Sequence, residues 1–453
     1  MSADRGIGGG RLSACHATDA CGHFRQEAAD ACRRCLNWVL LVCLFAICGA
    51  SLAAGRSYQF HGGISQEVLS NYLDRAITMN GLSYSDTPED DYRMIRKLGA
   101  KFVGRVSYIW NAQTDFPDHY GKLVEEADLF QRAEAASKRL HEIDPDIIVQ
   151  ACIFEIIEKD YVNNVDVPAR VLEEFGLKPV ARKFNYDDML YTDGSFRNHW
   201  GKDQSVPDMS RLETRLWFFY RATRYIDLGY EAIHFGQCEL MDKSDAGHRN
   251  WWQTISRIRN YAKAHARRGL VLCDAHTHGV LDDKGNLLYD FHSYPSRPVE
   301  VAGKPNEARL EVGDRDAIYK RSKGGVTPSG WKCDSLPYLV EFDNTHSSGR
   351  EGQGGLGGCW VWGYEEISWF AFQGSAARDA WLKYAANWIK ETDPAGHLQM
   401  PGKIPLGFYH YGREKRLWYR LNASGKDCPS GYGQEDAVKE LWGRTGGHLA
   451  EAQ

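Results

Sequence analysis

The chain has 453 residues, 43% hydrophobic and 25% charged, which is ordinary globular composition. Its formal net charge of -5 excludes a strongly basic surface, so neither a nucleic-acid partner nor a polybasic membrane patch is expected. Of the twelve Cys, Cys15, Cys21, Cys32, Cys35, Cys43 and Cys48 lie in the first fifty residues; Cys152, Cys238, Cys273, Cys333, Cys359 and Cys428 are scattered without metal-like spacing. The scattered six read as small buried hydrophobes, with a Cys333–Cys359 disulfide left open.

Arg33 and Arg34 precede the apolar run WVLLVCLFAICGASLAA, which ends in small residues around Ser51–Gly55. A basic flank, an apolar stretch and a small-residue zone predict a signal peptide or an uncleaved N-terminal membrane anchor over residues 1–55, and an exported protein.

From Arg56 onward short β-rich segments alternate with amphipathic helical stretches. The predicted strands, in chain order, are SYQFHGG, KFVGRVSYIWN, IIVQACIFEII, EAIHFGQCELM, LVLCDAHTHG, LLYDFHSYPSRP, LPYLVEFDN and GCWVWGYEEISWF. Gly99 is placed as the C-cap of the helix DDYRMIRKLG, and residues 158–208 as a long loop over one face. The link between strands five and six is too short for a helix and contains a hairpin-like DDKGN. Eight strands mostly joined by helices, with no Gly-rich phosphate turn after an early strand, predict an α/β fold of (β/α)₈ TIM-barrel type. The barrel is assigned to residues 56–400 and a short C-terminal extension packed on it to 401–453.

Active sites of such barrels sit at the C-terminal strand ends. There the chain carries His61, Arg105, Glu155, His234, Gln237, Glu239, Asp274, His276, His278, Asp290, His292, Glu341, Asp343, Trp362, Tyr364 and Glu366. Buried charges cost several kcal/mol unless paired, so this concentration implies a wet functional cavity. Glu341 lies between Val340 and Phe342 and points inward where they point outward. Aromatic side chains are numerous, with fourteen Trp and 23 Tyr. Trp110, Trp360, Trp362 and Tyr364 are candidates to stack on pyranose faces while polar neighbours bind hydroxyls.

With Glu239 in HFGQCELM after the fourth strand and Glu341 in YLVEFDN after the seventh, the layout resembles the large clan of barrel glycoside hydrolases. The clan's Asn-Glu pair after strand four is here Gln237-Cys238-Glu239. The resemblance implies a carbohydrate substrate, Glu239 as a buried general acid/base of raised pKa, and Glu341 as a nucleophile kept ionised by Arg105. His61, Trp110, Glu155, His234, Gln237, His276, His292, Asp343, Trp362, Tyr364 and Glu366 are then substrate-binding candidates, with no cofactor and no metal expected. Two other readings stay open. LVLCDAHTHG resembles the His-x-His of the amidohydrolase superfamily, which would make Asp274, His276 and His278 metal ligands of a hydrolase. A barrel that keeps a polysaccharide cleft without chemistry is the other.

Overall fold

The computed structural model describes residues 56–113, 115, 121–304, 307–343, 366–406 and 418–444. These form a mixed α/β unit with a central parallel sheet. The principal strands are β1 (Ala76–Met79), β2 (Phe102–Ser107), β3 (Ile148–Cys152), β4 (Ala232–His234), β5 (Leu272–Asp274), β6 (His292–Pro295), β7 (Tyr338–Glu341), β8 (Gly396–Leu398), β9 (Met400–Pro405) and β10 (Trp418–Arg420). The helices that flank them are α1 (Gln66–Leu73), α2 (Pro88–Leu98), α3 (Glu126–Ile143), α4 (Leu212–Asp227), α5 (Arg249–His265), α6 (Glu366–Phe372), α7 (Ser375–Thr392) and α8 (Glu435–Arg444).

One sheet runs β10-β9-β1-β2-β3-β4-β5, with β10 antiparallel to β9 and the remaining pairs parallel. A second, all-parallel sheet runs β8-β7-β6. A parallel bridge between His276 and Ser293 joins β5 to β6, and Gln399, which links β8 to β9, donates its N–H to the Val340 carbonyl. Helices follow β1, β2, β3, β4 and β7, since parallel neighbours need a crossover connection. The β5–β6 connection has none: its Asp282 carboxylate accepts from the Lys284 and Asn286 N–H groups and closes a turn.

Side chains two residues apart on a strand share a face. At the strand starts, Ala76, Phe102, Ile148, Ala232, Leu272 and Leu339, with Phe291 ahead of β6, form one apolar cluster with Val68, Leu69, Tyr72 and Leu73 of α1. Ser65 caps α1, its hydroxyl accepting the Val68 N–H. Two residues further along lie Thr78, Gly104, Gln150, His234, Asp274, Ser293 and Glu341, polar apart from the glycine. The strands thus rest on an apolar floor and carry their polar groups at the opposite ends.

Two strand expectations are corrected. Residues 57–63 form no strand; Tyr58 and Phe60 instead pack edge-on against Tyr72, and β1 begins at Ala76. Of the eighth expected strand, GCWVWGYEEISWF, residues 358–365 lie outside the described residues, whereas Glu366–Phe372 is helix α6; the strands that follow α7 are β8 and β9. The boundary expected at residue 400 falls inside this run, because β9 pairs with β1 through Ile77–Met400, Thr78–Pro401 and Met79–Lys403. No helix among the described residues is long and apolar enough to cross a membrane; the apolar run of residues 38–54 lies outside them.

Candidate active site

Glu341 ends β7 and is 3% exposed. Its Oε2 accepts from Arg105 Nη2 and lies 3.0 Å from His276 Nε2. Arg105 also stands 3.3 Å from His276 Nε2 and 3.7 Å from Asp343 Oδ2. Burial alone would raise the Glu341 carboxyl, but the Arg105 charge and the His276 hydrogen bond overcome it and hold the group at about 2. For His276 burial works downward, while the bond and charge of Glu341 outweigh it and raise the imidazole above its ordinary value.

The reach of Arg105 has a local cause. Its φ is +58°, a left-handed conformation rare for a side-chain residue, and the β2–β3 register shifts between Val103 and Ser107. The irregularity breaks the alternation of β2. Gly104, against which Gln150 and Gln399 are packed, and Arg105 therefore both face the polar ends. Backbone strain of this kind persists where the surroundings over-determine it and clusters at functional sites.

Beside Glu341, Asp274 is completely buried and accepts Gln150 Nε2 and Ser293 Oγ, both at 2.8 Å. His234 Nδ1 stands 2.8 Å from the Asp274 carboxylate. Burial, reinforced by the charge of His276, drives the His234 pKa well down, so the ring is neutral. Burial and the Glu341 charge push Asp274 up, against the hydrogen bonds from Ser293 and Gln150. A neutral His234 whose Nδ1–H donates to Asp274 keeps its lone pair on Nε2, a buried atom with no hydrogen-bond partner among the described residues. The His234 and His276 rings are 4.7 Å apart.

The rim follows from the next residues along each strand. Glu155 receives the Gln237 N–H at 2.9 Å and Gln237 Nε2 at 2.8 Å, tying the end of β3 to that of β4. Gly236 permits this approach with φ +57°, since a Cβ there would fall 1.9 Å from Glu155 Oε2. Glu239 is exposed, which corrects the expectation of a buried acid: it stands in the one-turn 3₁₀ helix Cys238–Leu240, whose inward position goes to Cys238. Its Oε1 accepts from Thr277 Oγ1 at 2.7 Å, next in sequence to His276. Trp110 meets Phe154 at 5.6 Å and Trp200 at 5.0 Å, and Phe154 meets His234 at 5.6 Å. Trp200 Nε1 donates to the Glu155 carbonyl, joining this aromatic wall to the rim.

Several candidates stand apart. His61 is exposed beside Gly269, ahead of β5 at the apolar end. His292 begins β6 and bonds Ser322 Oγ at 2.9 Å; burial lowers its pKa to about 3. Glu366 is the completely buried first residue of α6 and accepts the Arg297 and Asp343 N–H groups, joining the segments after β6 and β7. Asp290 pairs with Arg259. Trp360, Trp362, Tyr364 and Cys359 lie outside the described residues. Of the metal set Asp274, His276 and His278, only His276 reaches Glu341: Asp274 is engaged by Gln150, Ser293 and His234, and His278 bonds the Asp316 carbonyl and stacks on Tyr294. Gln150, Ser293, Phe154 and Trp200 belong to the site without having been singled out in the sequence. The period-two polar layer would have found Gln150 and Ser293, whereas Trp200 arrives from a remote loop.

No protein-family model matches the chain, and no curated protein sequence matches it. Among solved structures it is similar to a GH27 β-L-arabinopyranosidase from Geobacillus stearothermophilus (13% identity, 46% of this chain and 50% of that one, TM-score 0.26). It is similar to the glycoside hydrolase domain of PelA from Pseudomonas aeruginosa (11%, 55% and 78%, 0.26). It is also similar to a β-1,4-mannanase from the sea hare Aplysia kurodai (9%, 81% and 92%, 0.34). The chain spans about half the length of the arabinopyranosidase structure.

Proposed function

We propose that the chain is an exported (β/α)₈-barrel glycoside hydrolase that cleaves a poly- or oligosaccharide with two carboxyl groups. The barrel reading is supported by the order of pairings. They pass from β1 through β5, across the His276–Ser293 bridge to β6, β7 and β8; from β8 the chain itself runs through Gln399 into β9, which pairs with β1. The export reading is supported by the basic-then-apolar pattern of residues 33–55.

One observation carries the hydrolase reading: Glu341 is a buried carboxylate held ionised at a strand C-terminus, in a cluster walled by aromatic side chains. In the proposed reaction Glu341 attacks the anomeric carbon while Glu239 protonates the departing glycosidic oxygen. Glu239 then takes a proton from the water that cleaves the glycosyl-enzyme ester. Arg105 stabilises the Glu341 charge; Trp110 and Trp200 offer ring faces; His234, His276, Gln237, Glu155 and Asp343 supply hydroxyl partners.

The test is a panel of polysaccharides and aryl glycosides assayed for new reducing ends. E239Q is expected to lose about 10²–10⁴-fold in rate, with smaller losses on substrates whose leaving group needs no proton. Glu341→Ala should be inactive and recover turnover with azide as an external nucleophile. Full activity in E341Q, or sugar binding without turnover by the wild type, would overturn the hydrolase reading.

A further inference from the structure

We infer that His234 Nε2, His276 Nε2 and Glu341 together form a binding site for one divalent transition-metal cation of the Zn²⁺ class. The donor atoms of the three side chains lie within 4.8 Å of one another. A tetrahedral ion with ligands at about 2 Å needs its donors about 3.3 Å apart, so modest side-chain rotation closes the set. His234 is already turned for the task. Its Nδ1 is fixed on Asp274, and Asp274 is fixed in turn by Gln150 and Ser293. A carboxylate behind an imidazole is the arrangement that sets the tautomer and raises the basicity of metal-binding histidines. The nitrogen left over, His234 Nε2, is buried and has no hydrogen-bond partner among the described residues. A buried acceptor without a donor has lost its hydration with nothing in return, and a bound cation removes that deficit.

Two imidazoles and one carboxylate suit zinc, and not magnesium, which takes oxygen ligands and retains water. Only His276 is shared with the Asp274-His276-His278 set that the sequence suggests. Arg105 is the opposing element: it holds Glu341 Oε2 and stands 3.3 Å from His276 Nε2. Metal binding therefore displaces the guanidinium from at least one of these contacts. Because the ion occupies Glu341, it inhibits the proposed hydrolysis. That consequence rests on the hydrolase reading, whereas the binding itself does not.

The full chain, stripped with chelator under reducing conditions, is titrated with Co²⁺ and Zn²⁺. With twelve Cys and 16 His the sequence offers other donors, so the site is read by difference. Wild type is expected to bind one equivalent more than H276N and than E341Q. The lost Co²⁺ component should show visible d–d bands without a thiolate charge-transfer band. His278→Asn, outside the ligand set, should retain it, and R105Q should bind at least tenfold more tightly. Circular dichroism confirms that H276N and E341Q are folded before they are compared. Equal stoichiometry in wild type, H276N and E341Q, or binding in R105Q no tighter than in wild type, overturns the inference. A lost Co²⁺ signature in H276N combined with no turnover on any sugar would leave the metal site standing and remove the hydrolase reading.

Discussion

Replacing Arg105 by Gln removes the cation on which Glu341 depends. The two side chains are 6% and 4% exposed, so solvent screens their interaction little. A carboxyl held at about 2, against an ordinary 4.5, corresponds to roughly 3 kcal/mol at neutral pH. Stripping one partner from a buried ion pair costs about 3–5 kcal/mol, and the remaining contact with His276 favours the lower end. R105Q should therefore lose about 3 kcal/mol of unfolding free energy at pH 7, measured by urea denaturation with tryptophan fluorescence. The sign with pH follows from the depressed carboxyl. Its contribution in wild type is complete above 4.5 and is lost as pH falls toward 2, so the gap between the two proteins narrows below about pH 4.5. Adding E341Q to R105Q should recover most of the loss, because the charge that required a partner is gone. An R105Q protein within about 1 kcal/mol of wild type at pH 7, or a double variant no more stable than R105Q, would refute the reasoning.

Gly236→Ala places a Cβ against Glu155 Oε2 at a positive φ and should cost about 1–3 kcal/mol, read as a lowered thermal midpoint. Burial lifts Glu366 to about 7, over the opposing charge of Arg297 and two backbone donors. A raised carboxyl pKa gives stability that is full below 4.5 and declines as pH rises through 7, by roughly 3 kcal/mol at most. E366Q should flatten the urea midpoint between pH 4.5 and 7; an unchanged slope would count against this assignment. Trp110→Ala removes the ring beside Trp200 and should weaken affinity for a retained polysaccharide about tenfold in gel electrophoresis, without moving the thermal midpoint as far as G236A does.

Much of the fold was legible because local periodicity reports burial. The strands around Val103, Val149, Ile233, Leu272, Tyr294 and Val340 all lie within segments picked from apolar β-rich runs. The misplaced ones have identifiable causes. AITM is four residues buried on both faces, so it lacks the alternation that marks a strand. Its neighbour MPGKIP carries Pro401 and Gly402, which read as chain punctuation. In the structure Gly402 is required there, since a Cβ would fall 2.5 Å from Met79 Sδ. SYQFHGG looked like a strand because aromatic residues favour strands, but its rings cover α1.

The site divides along the same line. The sequence by itself determined that the strands turn from apolar to polar toward their C-terminal ends, so that Gln150, His234, Asp274, Ser293 and Glu341 each sit two residues beyond an apolar floor residue. That pattern is local, and period two is a property of one strand. Which of these groups touch was decided by tertiary structure alone. Arg105 and Glu341 are 236 positions apart and meet only because β2 and β7 present their ends to one space. The left-handed backbone at Arg105 then turns that side chain into it. Long-range charge pairing and local strain of this kind depend on what surrounds a residue in space, and no window along the chain contains that information.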